Sequence, residues 1–330
     1  MAMVEDIHSS CFVSIELSRS KWVLGVLLPS AERVRLRQID GGDTEALLRH
    51  FDDLRSQSAK AAGQDVTIFA CFEAGYDGFW LARLLNARGV ITLVLDPTSF
   101  LVMRRGRRAK TDRIDAEVMA YTLRAYVGGD RAVCREVRIP SPEEEDAKRL
   151  HRERIQLKTE RTRHVNRIRG LLNLHGIRDV KGLWGGAWRQ WLSDLQTGDG
   201  RQLGAHVRQE LTREFERLDL VIRHIHSLDG ELEAGLVDDT APLPQAEKVR
   251  QLATLKGIGS LGATVLVSEV FHREFASRRH LASYLGLAPS PYASGDMNRD
   301  QGISKAGNGY ARTRSSNWRG AGSGINRTAS

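Results

Sequence analysis

The stretch from Ala109 to Ala116 reads AKTDRIDA and sets Asp112 and Asp115 three residues apart, where a helix should begin. Residues at that spacing share one helix face. Two carboxylates on one face repel unless a cation sits between them. Arg104, Arg105, Arg107, Arg108, Lys110 and Arg113 crowd the same stretch. A metal-binding carboxylate pair beside a phosphate-binding surface would account for both features. A solvated helix start also accounts for the pair, because the helix dipole favours aspartate in a first turn. On this segment alone, that plainer reading carries more weight. Two more acids bear on the choice. Glu16 falls at the end of the apolar run CFVSIE, and Glu73 closes VTIFACFE. An acid directly after a run as apolar as Ile68 to Phe72 is hard to explain by solubility alone.

The elements that must position these acids can be read from periodicity. Cys11 to Leu17 and Lys21 to Leu28 are β-branched and apolar across a short polar turn, which predicts a hairpin. Arg33 to Ile39 alternates as a half-exposed third strand would. Thr44 to Ala62 has helical spacing at Leu47, Leu48, Phe51 and Leu54. Val66 to Phe72 reads as a strand covered on both faces. A helix over 78–88, a strand over 91–95 and helices flanking AKTDRIDA follow. This order predicts an α/β ribonuclease-H-like fold over residues 1–140. In enzymes of that fold, carboxylates converge at the edge of the central strands and hold two divalent metals. Hard oxygen ligands suit Mg²⁺. Glu16, Glu73, Asp112 and Asp115 stand at places consistent with such a site.

Pro140 breaks the chain, and Ser141-Pro142-Glu143-Glu144 is a strong helix start. Residues 143–174 are highly charged, with apolar positions at Leu150, Leu157, Ile168, Leu171 and Leu172. A second long helix carries Leu203, Val207, Leu211, Phe215, Leu218, Ile222 and Ile225, spaced by four or three as in a heptad repeat. Trp184, Trp188 and Trp191 lie in the connection. These stripes predict a coiled-coil hairpin or dimerisation arm over 141–237, and a helical bundle fits them too. Asp238 to Pro244 reads as a linker, and a mostly helical C-terminal domain is expected over 238–313. It opens with Leu255-Lys256-Gly257-Ile258-Gly259 before the apolar run Ala263 to Val270. The pattern fits a phosphate-binding helix–hairpin–helix, with glycines allowing close backbone approach. It fits a plain glycine turn between core helices equally well. Ser294 then stands in a glycine-flanked polar loop, with Lys305 and Arg312 downstream as possible phosphate contacts. Taken alone, a serine there is an ordinary turn residue.

The 330-residue chain carries a formal charge of +8, and its cations cluster at 104–113, at Arg161, Arg163, Arg167 and Arg169, and after Arg299. Clustering of this kind points to nucleic acid. No stretch is apolar enough to span a bilayer, and no secretion signal is apparent, so a cytoplasmic location is expected. The three cysteines, Cys11, Cys71 and Cys134, are too far apart for a zinc site and suggest buried thiols in a reducing compartment.

Together, FEAGYDGFW (Phe72 to Trp80), AKTDRIDA, LGLAPSPY (Leu285 to Tyr292) and GISKAGN (Gly302 to Asn308) resemble the DEDD-type insertion-sequence transposases, the family numbered one hundred and ten. The resemblance runs from Phe12 to about Arg312. It implies a RuvC-like catalytic domain, a coiled-coil insert and a C-terminal transposase domain. It maps the family's four metal-binding acids onto Glu16, Glu73, Asp112 and Asp115, with Glu16 where the family usually has Asp. It maps the family's catalytic serine onto Ser294. It further implies a recombinase that acts on donor and target DNA, uses a structured noncoding bridge RNA as guide, and assembles as a homodimer or homotetramer in a nucleoid-associated cytoplasmic setting. Arg104, Arg105, Arg107, Arg108, Lys110, Arg113, Arg163, Arg167, Lys256, Gly257, Gly259, Lys305 and Arg312 are the candidate nucleic-acid contacts. After Thr313 the family's apolar helix is replaced by RSSNWRGAGSGINRTAS, which reads like a shifted frame, and residues 314–330 are expected to be a disordered tail. Two other readings fit the same residues: a metal-dependent nuclease using water, as junction resolvases of this fold do, and an inactive nucleic-acid-binding remnant.

Overall fold

The computed structural model describes residues 9–29, 31–62, 65–75, 77–97, 99–100, 111–180, 186–237, 245–294, 297–303, 307–309 and 311–312. Arg104, Arg105, Arg107, Arg108, Lys110 and Lys305 lie outside the described residues, as do the expected 238–244 linker and 314–330 tail. The chain divides into two units, Met1–Pro140 and Ser141–Ser330.

The first unit is a six-stranded mixed sheet with helices on both faces. Its elements are β1 (Cys11–Glu16), β2 (Lys21–Leu27), β3 (Arg35–Asp40), α1 (Thr44–Ala62), β4 (Ile68–Glu73), α2 (Trp80–Ala87), β5 (Ile91–Leu95), α3 (Asp112–Val127) and β6 (Glu136–Val137). The strand order is β3-β2-β1-β4-β5-β6. β1, β4 and β5 are parallel, while β2, β3 and β6 join antiparallel. This arrangement is compatible with a ribonuclease-H-like domain. The hairpin β1–β2 forms where expected, its turn closed by the Ser18 hydroxyl, which accepts from the Lys21 amide at 3.2 Å. β6 is only two residues long, too short for its sequence to carry a period.

Alternation divides the central strands between two cores. Cys11, Val13 and Ile15 of β1 and Ile68, Ala70 and Phe72 of β4 join Leu47, Phe51 and Leu54 of α1 and Leu81 and Leu85 of α2. Phe12 and Phe69 stack with ring centroids 5.7 Å apart on the opposite face, beside Met119, Leu123 and Tyr126 of α3. Burial on both faces is why the β4 sequence is continuously apolar.

The second unit is built on two helices of 33 residues, α4 (Pro142–Leu174) and α6 (Ala205–Val237). The predicted capping box opens α4: the Ser141 hydroxyl accepts from the Glu144 amide, and the Glu144 carboxylate accepts from the Ser141 amide. Leu157 packs with Val221, Ile225 and Leu228. Ile168 and Leu172 join Leu211, Phe215 and Leu218. Rising numbers on α4 meet falling numbers on α6, so the pair is antiparallel. The intervening α5 (Trp188–Asp194) stacks Trp188 on Phe215 at 4.9 Å, and Trp188 Nε1 donates to Asp219 at 2.8 Å. α7 (Ala246–Ala253), α8 (Ser260–Glu269) and α9 (Arg278–Tyr284) follow, then the antiparallel hairpin of β7 (Pro289–Ser294) and β8 (Met297–Ile303).

Candidate active site

The β1–β4 register pairs Ser14 with Cys71. Continuing it by two residues along both strands sets Glu16 beside Glu73 at their carboxyl ends. Parallel neighbours lie about 4.8 Å apart, and a two-residue step keeps both acids on the face of Ser14 and Cys71. That face is the one α3 covers. The Ser14 hydroxyl donates to the Ala116 carbonyl at 2.5 Å, and the Cys71 thiol lies 3.8 Å from the Met119 carbonyl oxygen. Further along α3, Tyr121 donates to the carbonyl of Glu32 at 3.0 Å and Arg124 to that of Ala31 at 3.4 Å. Both partners lie just past the end of β2, and Leu27 at that end pairs with Phe12 near the start of β1. The helix therefore runs antiparallel to β1 and β4, and its first turn faces their carboxyl ends.

That first turn carries Asp112 and Asp115. It is capped by Thr111, whose hydroxyl accepts from the Ile114 amide at 3.4 Å. Asp112 and Arg113 are exposed, while Asp115, Glu16 and Glu73 are half-buried. The sheet and the helix thus bring all four predicted acids to one end of the unit. The donor set, four carboxylates, is chemically right for Mg²⁺. Among the described residues, no three His, Cys, Asp or Glu side chains are gathered closely enough to hold a metal ion.

In the second unit, Ser294 is the last residue of β7 and pairs with Met297 at the tip of the β7–β8 hairpin. The sequence suggested a loop there. The antiparallel partner across residues 297–303 supplies the pairing that a polar run with few β-branched residues does not advertise. Lys256, Gly257 and Gly259 are exposed in the turn between α7 and α8, where Gly257 takes φ +90° and Ile258 is buried. Arg163 is exposed on α4. Arg167 pairs with Glu210 across the two long helices. Arg312 is half-buried and donates to the Leu285 carbonyl at 3.4 Å.

A polar cluster that the sequence reading missed sits behind the hairpin. The Glu269 side chain is 2% exposed. It accepts from His151 Nε2 at 2.8 Å, from Arg152 Nε at 2.7 Å and Nη2 at 3.0 Å, and from Asn308 Nδ2 at 2.8 Å. Burial pushes its carboxyl up, but the bonds from His151, Arg152 and Asn308 outweigh that and hold it far below the usual carboxylate range. The available signal is an acid closing an apolar run, here the helix Ser260–Glu269 as Glu73 closes the strand Ile68–Glu73.

Two family models match the chain. One, described as a transposase of the DEDD type, matches residues 20–177, which include Glu73, Asp112 and Asp115. The other, the transposase IS116/IS110/IS902 family, matches residues 249–323, which include Ser294. A putative transposase, y4rJ, of Sinorhizobium fredii is 43% identical over 310 residues, which is 92% of this chain and 78% of that protein. A probable family 20 transposase of Pseudomonas aeruginosa is 26% identical over 75% of this chain and 68% of its own length. A transposase of the insertion sequence element IS1111A from Coxiella burnetii is 27% identical over 70% of this chain and 59% of its own. The chain belongs to the IS110-type DEDD transposases.

Proposed function

We propose that this transposase cuts and rejoins DNA with carboxylate-held divalent metal and a serine nucleophile. Glu16, Glu73, Asp112 and Asp115 would hold Mg²⁺. What supports the reading is that two strand-end glutamates and the two aspartates of a helix first turn lie toward the same end of the first unit, though no three of them are gathered as a formed metal site. Bound there, divalent cations would supply Lewis-acid stabilisation of charge on a scissile phosphate. Ser294 would attack the phosphorus through Oγ, forming a phosphoserine ester as the bond to the 3′ oxygen breaks. The hydroxyl proton leaves and the 3′ oxygen gains one. A serine hydroxyl is weak at its free pKa and needs activation. Its place at a hairpin tip suits delivery to a phosphate.

DNA is the substrate, in donor and target forms. A structured noncoding bridge RNA would carry sequence specificity by pairing, leaving the protein to recognise backbone and shape. A homodimer or homotetramer would assemble through the paired helices α4 and α6 acting as a coiled-coil arm, with residues 238–313 as the transposase domain. The setting would be the cytoplasm. No helix among the described residues is long and apolar enough to cross a membrane.

The test is Ser294→Ala beside Glu73→Gln, each assayed for a protein–DNA adduct that survives denaturation. Ser294→Ala should abolish the adduct with nucleic-acid binding intact. Glu73→Gln should lower its rate by more than the roughly 10–100-fold typical of losing a group that only supports a ligand. Cutting that persists in Ser294→Ala points to hydrolysis by water. Binding without any adduct in Mg²⁺ points to an inactive remnant.

A further inference from the structure

The β7–β8 hairpin that carries Ser294 is fastened at its base. The chain enters through Tyr284 and leaves through Asn308, and these two residues are tied together. The Asn308 amide donates to the Tyr284 carbonyl at 3.2 Å. Between β8 and Asn308 stands Gly307, at φ +98°, where any Cβ would collide with the Tyr284 carbonyl oxygen. Only glycine allows the exit segment to pass so close to the entry segment.

Both ends of this stem are also bonded to one residue of α8. Tyr284 Oη donates to the Glu269 main-chain carbonyl at 2.8 Å. Asn308 Nδ2 reaches the same carbonyl at 3.3 Å and the Glu269 carboxylate at 2.8 Å. The rest of that carboxylate is taken by His151 and Arg152 of the long helix α4. Glu269 therefore touches the arm helix with its carboxylate and both ends of the hairpin stem with its carboxylate and carbonyl.

A buried ion pair is seldom the most stabilising way to fill such a volume, since apolar groups of similar size often do as well or better. What a charge with several directional partners does provide is a fixed geometry. Tyr284, Gly307 and Asn308 are bound where small angular errors would be amplified toward the tip. A reacting oxygen misplaced by about 1 Å can cost about a hundredfold in rate.

We propose that Glu269 is a positioning residue for Ser294, fixing the base of the β7–β8 hairpin to α4 through His151, Arg152 and Asn308. The proposal rests on the reading of Ser294 as nucleophile. Glu269 acts only through Asn308 and the stem, and it coordinates nothing in the reaction.

The experiment uses the full chain, co-expressed with the DNA that flanks its coding sequence on each side, and a labelled duplex of that flanking DNA as probe. Adduct formation, duplex affinity and melting temperature are measured for wild type, Ser294→Ala, Glu269→Gln and Asn308→Ser. Asn308→Ser keeps an oxygen to accept from the Ala311 amide, as Asn308 Oδ1 does at 3.2 Å, but releases Glu269. The expected result is an adduct rate at least tenfold lower in Glu269→Gln and Asn308→Ser, with duplex affinity within twofold of wild type and a cooperative melt retained. Amide exchange in β7 and β8 should quicken in Asn308→Ser while α4 and α6 keep their protection. Wild-type adduct rates in both variants, with Ser294→Ala dead, overturn the positioning role and leave the nucleophile standing. Loss of cooperative folding in both variants assigns the cluster to stability alone and also overturns it. An adduct formed by Ser294→Ala removes the nucleophile reading, and the positioning role goes with it.

Discussion

Ser14 and Gly25 face each other across β1 and β2, and between them they set how closely α3 can approach the sheet. A Cβ on Gly25 would lie 2.5 Å from the Ser14 hydroxyl and 2.7 Å from the Ala116 carbonyl oxygen. The hydroxyl is already committed to that same carbonyl, so it cannot swing away without breaking a buried bond. Gly25→Ala should therefore lift the amino-terminal half of α3, at a cost of about 1–3 kcal/mol typical of overpacking. Ser14→Ala should cost about 1 kcal/mol, the usual worth of one internal hydrogen bond. Urea unfolding checks both, through a lower midpoint at unchanged slope. The two variants differ in their effect on the acids. Gly25→Ala displaces the turn bearing Asp112 and Asp115, so it should weaken Mn²⁺ binding measured by electron paramagnetic resonance. Ser14→Ala leaves the backbones in place and should bind Mn²⁺ nearly as wild type does.

At the scale of elements, Glu269 ties α4, α8 and α9 into one unit, and that tie has a pH signature. An unfolded glutamate protonates near 4.5, while the folded carboxyl stays ionised to far lower pH, because the bonds from His151, Arg152 and Asn308 outweigh its burial. Below about pH 4.5 the unfolded chain binds the extra proton and the folded chain does not, so stability falls as pH drops. Above that pH this group adds no further slope. Glu269→Gln should flatten the acid limb of the melting temperature between pH 5 and about 3, as read by circular dichroism of the long helices. This tie also marks where sequence reading stops. The strands β1, β4 and β5, the helix α1 and the capped start of α4 all leave a local signature, because each follows from periodicity or a cap within a few residues. The placement of Glu16 and Glu73 at strand ends was legible for the same reason. The Glu269 cluster was not, since His151, Glu269 and Asn308 are more than a hundred residues apart at their extremes and no period links them. Ser294 as a strand residue was equally hidden, because a hairpin strand with proline and few β-branched residues is defined by its partner rather than by its own composition.

For the whole molecule the governing quantity is charge. A formal +8 is a polyanion-binding balance, but not every cation is available to a phosphate. Arg154 is fastened to Asp229 and Arg152 to Glu269, so these guanidiniums hold the second unit together. Of the candidate contacts among the described residues, Arg113, Arg163 and Lys256 are exposed cations without a salt bridge to an acid. Binding through about 6–10 phosphates should weaken by roughly 10³–10⁵ between 50 and 200 mM salt. Each lost phosphate contact should reduce the slope of log affinity against log salt by about 0.9. Arg163→Ala and Lys256→Ala are therefore expected to flatten that slope by about one such step each, with melting temperatures near wild type. Arg154→Ala should do the reverse, lowering the melting temperature and leaving the slope unchanged. Duplexes of unrelated sequence should give the same slopes when no RNA is present, because pairing rather than side chains would carry the specificity. Fluorescence anisotropy across a salt series measures all of this. A slope insensitive to both Arg163 and Lys256 would mean that the exposed cations of α4 and of the α7–α8 turn face only solvent, and that backbone binding belongs to other parts of the chain.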